Sequence, residues 1–208
     1  MSGSSPPSAA KAWLRARGEP WRVLARRPVY ENAWIAVEEF DTLAPTGRPA
    51  LYGKVGFKNL AVGVLPIWPD GSVTLVGQER FTLSEWSWEM PEGGVPVGTD
   101  PLEGAMRELR EETGLTAASW REALRMHVSN SVTDERGVCY LAWDLQAGEA
   151  QPDPTEVIRI ARVPFGEALD AAAAGDIQDS LTLATLFRAH HMAVRGELPD
   201  DLARAMLG

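Results

Sequence analysis

Four carboxylates crowd into ten residues of the run MPEGGVPVGTDPLEGAMRELREETGL, Met90 to Leu115: Glu103, Glu108, Glu111 and Glu112. The last three are spaced i, i+3, i+4, so at about 100° per residue they gather on one side of a helix. Like charges at that spacing repel, and acids in a last turn oppose the helix dipole. One reading is a solvated acidic face, relieved by a base four residues on. Arg107 can pair with Glu111 in that way, but Arg110 has no acid at i+4, so the relief is partial. The other reading is a bound cation, which removes both penalties. Oxygen donors with no His or Cys beside them suit a hard ion, Mg²⁺ or Mn²⁺.

The helix carrying these acids is locally well specified, from about 101 to 113. Asp100 is an N-cap, Pro101 suits the first helical position, Glu103 completes a capping-box-like arrangement, and Gly114 fits a left-handed C′ residue. Leu102, Ala105, Met106 and Leu109 fall at i, i+3, i+4, i+7 and predict the buried stripe. Around it lie strand-like runs: WRVLARRPVY, WIAVEEF and ALYGKVGF, then a hairpin signal in which Pro69-Asp70-Gly71 joins LAVGVLPIW to SVTLVGQERF, then WSWEM. WREALRMHV, VCYLAWDL and VIRIARV follow as strands, and FGEALDAAAAG, LTLATLFRAHHMAV and LPDDLARAML as helices. Hairpin signals make the strands mostly antiparallel. The expectation is an α+β domain, a mixed sheet with helices packed on it. Residues 1–12, rich in Ser, Pro and Ala, read as disordered; 13–57 as a small β-rich segment; and 58–208 as the main domain.

Bulk properties narrow the function classes. A net charge of −9 lacks the basic character of a nucleic-acid binder but permits cation binding. Cys139 is the single cysteine, so no intrachain disulfide forms and a reducing, cytoplasmic setting is expected. The opening MSGSSPPSAAKAW has no apolar signal region, and LAVGVLPIW is too short and too broken to span a bilayer. No nucleophile elbow, P-loop or dinucleotide-binding glycine motif is found.

The acidic run resembles the Nudix box: Gly, five residues, Glu, seven residues, then Arg-Glu-apolar-x-Glu-Glu-x-Gly-apolar. Gly93, Arg107, Glu108, Leu109, Glu111, Glu112, Gly114 and Leu115 match it with the spacing intact. Thr99 stands where the family has Glu, a residue that partners the box Arg; Asp100 adjoins it. GQERF with WSWEMPEGG, SNSVTDERGVCYLAWDL, PTEVIRIARVPFGEAL and GDIQDSLTLATLF are similar to the ADP-ribose pyrophosphatase and nucleotide-sugar diphosphatase subgroup, over roughly 58–190.

That resemblance implies a Nudix fold and hydrolysis of the diphosphate of a nucleoside diphosphate-sugar, ADP-ribose giving AMP and ribose 5-phosphate being favoured. It implies metal binding by Glu108, Glu111, Glu112 and the backbone carbonyl of Glu92, with Glu156 as a further metal-linked acid. Arg80 and Glu89 match substrate-contacting positions, and Glu156 and Glu135 are the candidate general bases. The β-rich segment resembles one that builds a homodimer. A non-hydrolytic ADP-ribose-binding module is the rival reading, as are UDP- or GDP-sugars, NADH and dinucleoside polyphosphates as substrates. Trp34, Trp86 and Trp88 suit either base stacking or packing. His127, His190 and His191 have no metal-ligand spacing, and Cys139 in VCYLAW reads as a core thiol.

Overall fold

The computed structural model describes Leu14 and residues 17–150 and 157–208; the disorder expected for 1–12 and the site role expected of Glu156 fall outside them. The first three strands, β1 (Arg22–Glu31), β2 (Ile35–Leu43) and β3 (Pro49–Phe57), form an antiparallel meander of their own. Asn32 sets its first turn by accepting from Trp34 N–H and Ile35 N–H, each at 2.8 Å. Every residue of β1 is exposed, including Val23, Leu24, Val29 and Tyr30. Among the described residues no second layer covers β1, whereas β2 and β3 are partly buried.

The rest of the chain supplies β4 (Asn59–Pro66), β5 (Ser72–Arg80), β6 (Glu85–Glu89), β7 (Glu92–Pro96), α1 (Pro101–Thr113), β8 (Leu115–His127), β9 (Arg136–Ala147), β10 (Arg159–Pro164), α2 (Phe165–Ala174), α3 (Ser180–Val194) and α4 (Asp200–Leu207). One sheet runs β7-β4-β9-β8 and another β10-β5-β6. The expected mostly antiparallel pairing holds except at the centre, where β4 and β9 lie parallel, Ala61 against Gly137 through Pro66 against Ala142.

Alternation along β4 separates two cores, because successive side chains leave opposite faces of a strand. Val62 and Val64 pack with Leu109 of α1, while Leu65 and Ile67 join Leu186, Met192 and Met206 of α3 and α4. Helices therefore cover both faces, as expected for this α+β fold.

The Pro69-Asp70-Gly71 turn forms: Gly71 takes φ +80° and Asp70 Oδ1 accepts from Ser72 N–H at 3.0 Å. It does not close a plain hairpin. An isolated bridge joins Ile67, just past β4, to Val73 of β5, and the two strands then part into different sheets. Both strands are buried along most of their length. Each needs a layer on both of its faces, which one shared two-stranded ribbon cannot give it.

Candidate active site

The acidic helix is built as its local signals require. Asp100 Oδ1 caps it by accepting from Leu102 N–H at 3.0 Å, and Gly114, at φ 72°, closes it with a bond from its N–H to Arg110 O. A side chain at Gly114 would also lie 2.6 Å from Gly148 O. The capping bond is Asp100's, while Glu103 is exposed.

The buried face differs from the apolar stripe. Met106 is 45% exposed, and the buried residues are Gly104, Ala105, Glu108, Leu109, Glu112 and Thr113. Gly104 explains the rotation: any Cβ there would run into Val95 Cγ1 of β7. The helix rolls onto its glycine, and that roll carries Glu108 and Glu112 inward.

The turn 90–93 meets the inward acids. Glu92 N–H donates to Glu112 Oε2 at 3.2 Å. Gly93 lies so close to Glu108 that a Cβ on it would fall within 2.7 Å of every atom of that carboxylate. Arg107 stitches the group together, reaching Glu108 at 2.6 Å, Glu111 at 2.8 Å and Gly94 O at 3.2 Å. The i, i+4 relief read from the sequence is thus present, and the arginine also gathers Glu108.

A second cluster lies beneath the same turn. Arg80, at the end of β5, forks onto Glu89 and reaches Glu92 at 3.1 Å. Glu89 is buried. Asp179 caps α3 by accepting from Thr182 N–H at 2.7 Å, and Thr182 Oγ1 in turn accepts from Met90 N–H at 3.0 Å. Carboxylate oxygens of Glu89, Glu92 and Asp179 lie within 4.8 Å of one another. Burial first, then the nearby charges of Asp179 and Glu89, hold the Glu92 carboxyl well above its ordinary range. Its Oε2 is buried with no hydrogen-bond partner among the described residues. The resemblance implies a metal contact for the Glu92 carbonyl; the side chain of the same residue brings a further, unsatisfied oxygen beside Glu89 and Asp179. Asp179 was not singled out in the sequence. Asp179-Ser180 ahead of an apolar run marks a helix start, but nothing local says that this cap faces Glu92.

Both clusters open on one cleft of about 690 Å³. Arg80, Glu92, Glu108, Glu111, Glu112, Glu135 and Asp179 line it, and Trp34 and Phe57 form part of its wall. Glu135 follows the 129–134 loop, and burial raises its carboxyl above the ordinary range. The structure therefore brings Arg80, Glu92, the three helix acids and Glu135 to one place, with Glu89 behind Arg80. Trp86 and Trp88 instead pair edge to face at 6.1 Å, with Arg159 5.6 Å from the centre of the Trp86 ring. Neither lines the cleft, nor does any histidine. Cys139 is buried, and burial pushes its thiol up to about 12.

An oxygen-only donor set with one unsatisfied buried carboxylate oxygen fits a hard divalent cation. What the cleft can do is hold such an ion against a phosphorylated ligand, with Arg80 as a fixed positive charge and aromatic surface at the mouth.

Comparison with known proteins agrees with this geometry. A family model described as the NUDIX domain matches residues 57–184. An ADP-ribose pyrophosphatase of Mycobacterium tuberculosis is 31% identical over 145 residues, 68% of this chain and 70% of that protein. An ADP-ribose pyrophosphatase of Bacillus subtilis is 27% identical over 163 residues, 77% of this chain and 88% of its own length. A crystal structure of an ADP compounds hydrolase superposes with a TM-score of 0.77 at 20% identity, covering 88% of this chain and all of that one.

Proposed function

The chain belongs to the Nudix family of hydrolases, and on that premise we propose that its cleft hydrolyses the diphosphate of a nucleoside diphosphate-sugar, ADP-ribose giving AMP and ribose 5-phosphate. The observation that carries this reading is the convergence of Glu108, Glu111 and Glu112 with Arg80 and Glu135 in one cleft walled by Trp34 and Phe57. The names of the two relatives support the choice of substrate.

Glu108, Glu111, Glu112 and Glu92 are the residues that would hold Mg²⁺ or Mn²⁺, with Glu156 as a further acid. When bound, the ion supplies positive charge to the phosphates and lowers the pKa of an attacking water. The chain does the rest. Arg107 keeps the Glu108 and Glu111 carboxylates together. Arg80, held by Glu89, faces the phosphates. Trp34, 66% exposed, offers a flat apolar face to a base. A carboxylate, Glu156 or Glu135, takes the proton of the attacking water as its oxygen joins phosphorus; the bridging oxygen leaves with the other phosphate. Burial raises the Glu135 carboxyl above its ordinary range, so its carboxylate holds a proton more strongly than an exposed one does.

The protein works as a homodimer through its β-rich segment, residues 13–57. Support comes from the apolar side chains that β1 leaves in the open and from the lack of a covering layer over them among the described residues. A small nucleotide is its ligand. No described helix is long and apolar enough to cross a membrane, and the lone, buried Cys139 suits a reducing, cytoplasmic setting.

The test is a substrate panel of ADP-ribose, UDP- and GDP-sugars, NADH and a dinucleoside polyphosphate with Mg²⁺, reading phosphate released after phosphatase coupling. ADP-ribose should give the highest kcat/KM, and EDTA should abolish turnover. Tight ADP-ribose binding without product under Mg²⁺ or Mn²⁺ would favour the binding-module reading instead.

A further inference from the structure

The 129–134 loop, which leads into Glu135, leans on β3. Val55 N–H donates to Val132 O at 2.9 Å, and Asp134 N–H donates to Val55 O at 3.3 Å. A parallel bridge joins Val55 to Thr133. The Tyr52 hydroxyl donates to Ser131 O. Asp134 closes the set: Oδ1 accepts from Phe57 N–H at 2.9 Å and Oδ2 from Lys54 Nζ at 2.9 Å. Among the described residues, every hydrogen bond that residues 129–134 make beyond their own hairpin ends on β3.

The helices and the mixed sheet thus fix the acids of α1, while Glu135 is held both by its own hairpin, through Val128 N–H to Glu135 O at 3.2 Å, and by the outlying meander through the loop before it. Asp134 is adjacent to Glu135 and is the one loop side chain that grips β3 at two points. Loss of its grip removes the two side-chain bonds nearest the site and leaves the loop held by the backbone of Val55 and the Tyr52 hydroxyl. A shift of about 1 Å in a reacting group can cost about 10²-fold in rate, so a partial release next to Glu135 is enough to be read in kcat.

We propose that Asp134 and Lys54 are positioning residues, a clamp through which the β1–β3 meander holds Glu135 in the cleft. The meander then has a catalytic duty separate from any contact between subunits. The proposal rests on the reading of Glu135 as a proton-accepting carboxylate.

The experiment is a double-mutant cycle with ADP-ribose and Mg²⁺ on the full chain. Asp134→Ala should lower kcat about 10- to 100-fold with little change in KM. Asp134→Asn, which keeps an acceptor for Phe57 N–H, should recover most of it, and Lys54→Met should fall between. Glu135→Gln should lose more, and Asp134→Ala added to it should cost almost nothing further, because both act through one carboxylate. Wild-type kcat in Asp134→Ala beside an impaired Glu135→Gln overturns the clamp and leaves the base reading standing. So does full additivity, or a rise in KM without a fall in kcat, which places the effect in the Phe57 wall. Full activity in Glu135→Gln removes the base reading and the clamp with it. Should Asp134→Ala not fold, the same comparisons hold for Lys54→Met.

Discussion

Replacing Gly93 by alanine should separate stability from catalysis. The backbone at Gly93 is not in the left-handed region, so alanine is allowed there, and removing a glycine from the unfolded chain is worth about 0.4–1 kcal/mol to the folded state. Against that stands the new methyl group, within 2.7 Å of all three carboxylate atoms of Glu108. Ordinary contact needs about 3.5 Å, so the carboxylate must withdraw by about 1 Å. It is the far end of a side chain and can swing, at the cost of its 2.6 Å bond with Arg107. Overpacking of this kind costs about 1–3 kcal/mol. Net destabilisation of about 0–2.5 kcal/mol lowers Tm by at most about 10 °C in a domain of this size. The catalytic cost is larger, about 10²-fold or more in kcat, if Glu108 is a group that would hold the metal, because it has then left its place. Calorimetry in EDTA reads the first quantity, turnover of ADP-ribose with Mg²⁺ the second, and Mn²⁺ titration by electron spin resonance the cause. Wild-type turnover in Gly93→Ala, or a Tm loss so large that the fold itself fails, would refute the assignment of Gly93 as clearance for the Glu108 carboxylate.

Glu156→Gln should lower kcat by about 10²–10⁴ with little change in KM; if it is near wild type while Glu135→Gln collapses, Glu135 is the base, and activity in both moves that role to the helix acids. Cys139 should resist thiol reagents at pH 8, since a thiol pushed up to about 12 is thiolate only about one part in 10⁴ there; labelling at the rate of a model thiol would show that it is not enclosed. The same burial favours the neutral thiol in the folded state, so its contribution to stability is complete below pH 9.0 and is lost as pH rises toward about 12; urea midpoints across that range check the sign. Light scattering should give twice 22.6 kDa at micromolar concentration, and a stable monomer would refute the dimer.

What the sequence made legible is what local chemistry determines. The ends of α1 follow from Asp100, Pro101 and Gly114, each acting on its own turn. The gathering of Glu108, Glu111 and Glu112 follows from helical angle alone. The identity of the buried face did not follow, because counting apolar residues gives no weight to Gly104, whose missing side chain decides how the helix rolls. The parting of β4 from β5 was equally hidden: a turn signal describes four residues and is silent on which sheet each strand then enters. Asp179 escaped for the same reason. The bond that brings its helix to the turn before Gly93 joins Met90 to Thr182, 92 positions apart, and no spacing rule reaches that far. Glu135 and Arg80, singled out through resemblance, both line the cleft, while the side chains beside them, Asp134 with Lys54 and Glu89 with Glu92, emerge from tertiary structure.

The parallel pairing of β4 with β9 sets the order of events as the chain folds. It joins residue 61 to residue 137, and the turn 90–93 and α1 lie inside the loop that it closes. Long closures of this kind are slow and come late, because their entropy is lost before their contacts are gained. The acids that this loop encloses are nearer in sequence, Glu92 and Glu112 being 20 positions apart, so they are free to meet before the central strands pair. A divalent cation gathered by them would then act early, as a seed for the segment that the central pairing later encloses. Mg²⁺ should therefore speed refolding and leave unfolding nearly unchanged, the signature of contacts already present in the transition state. An unfolding limb slowed by Mg²⁺ beside an unchanged refolding rate would mean that the acids meet only after the central strands pair.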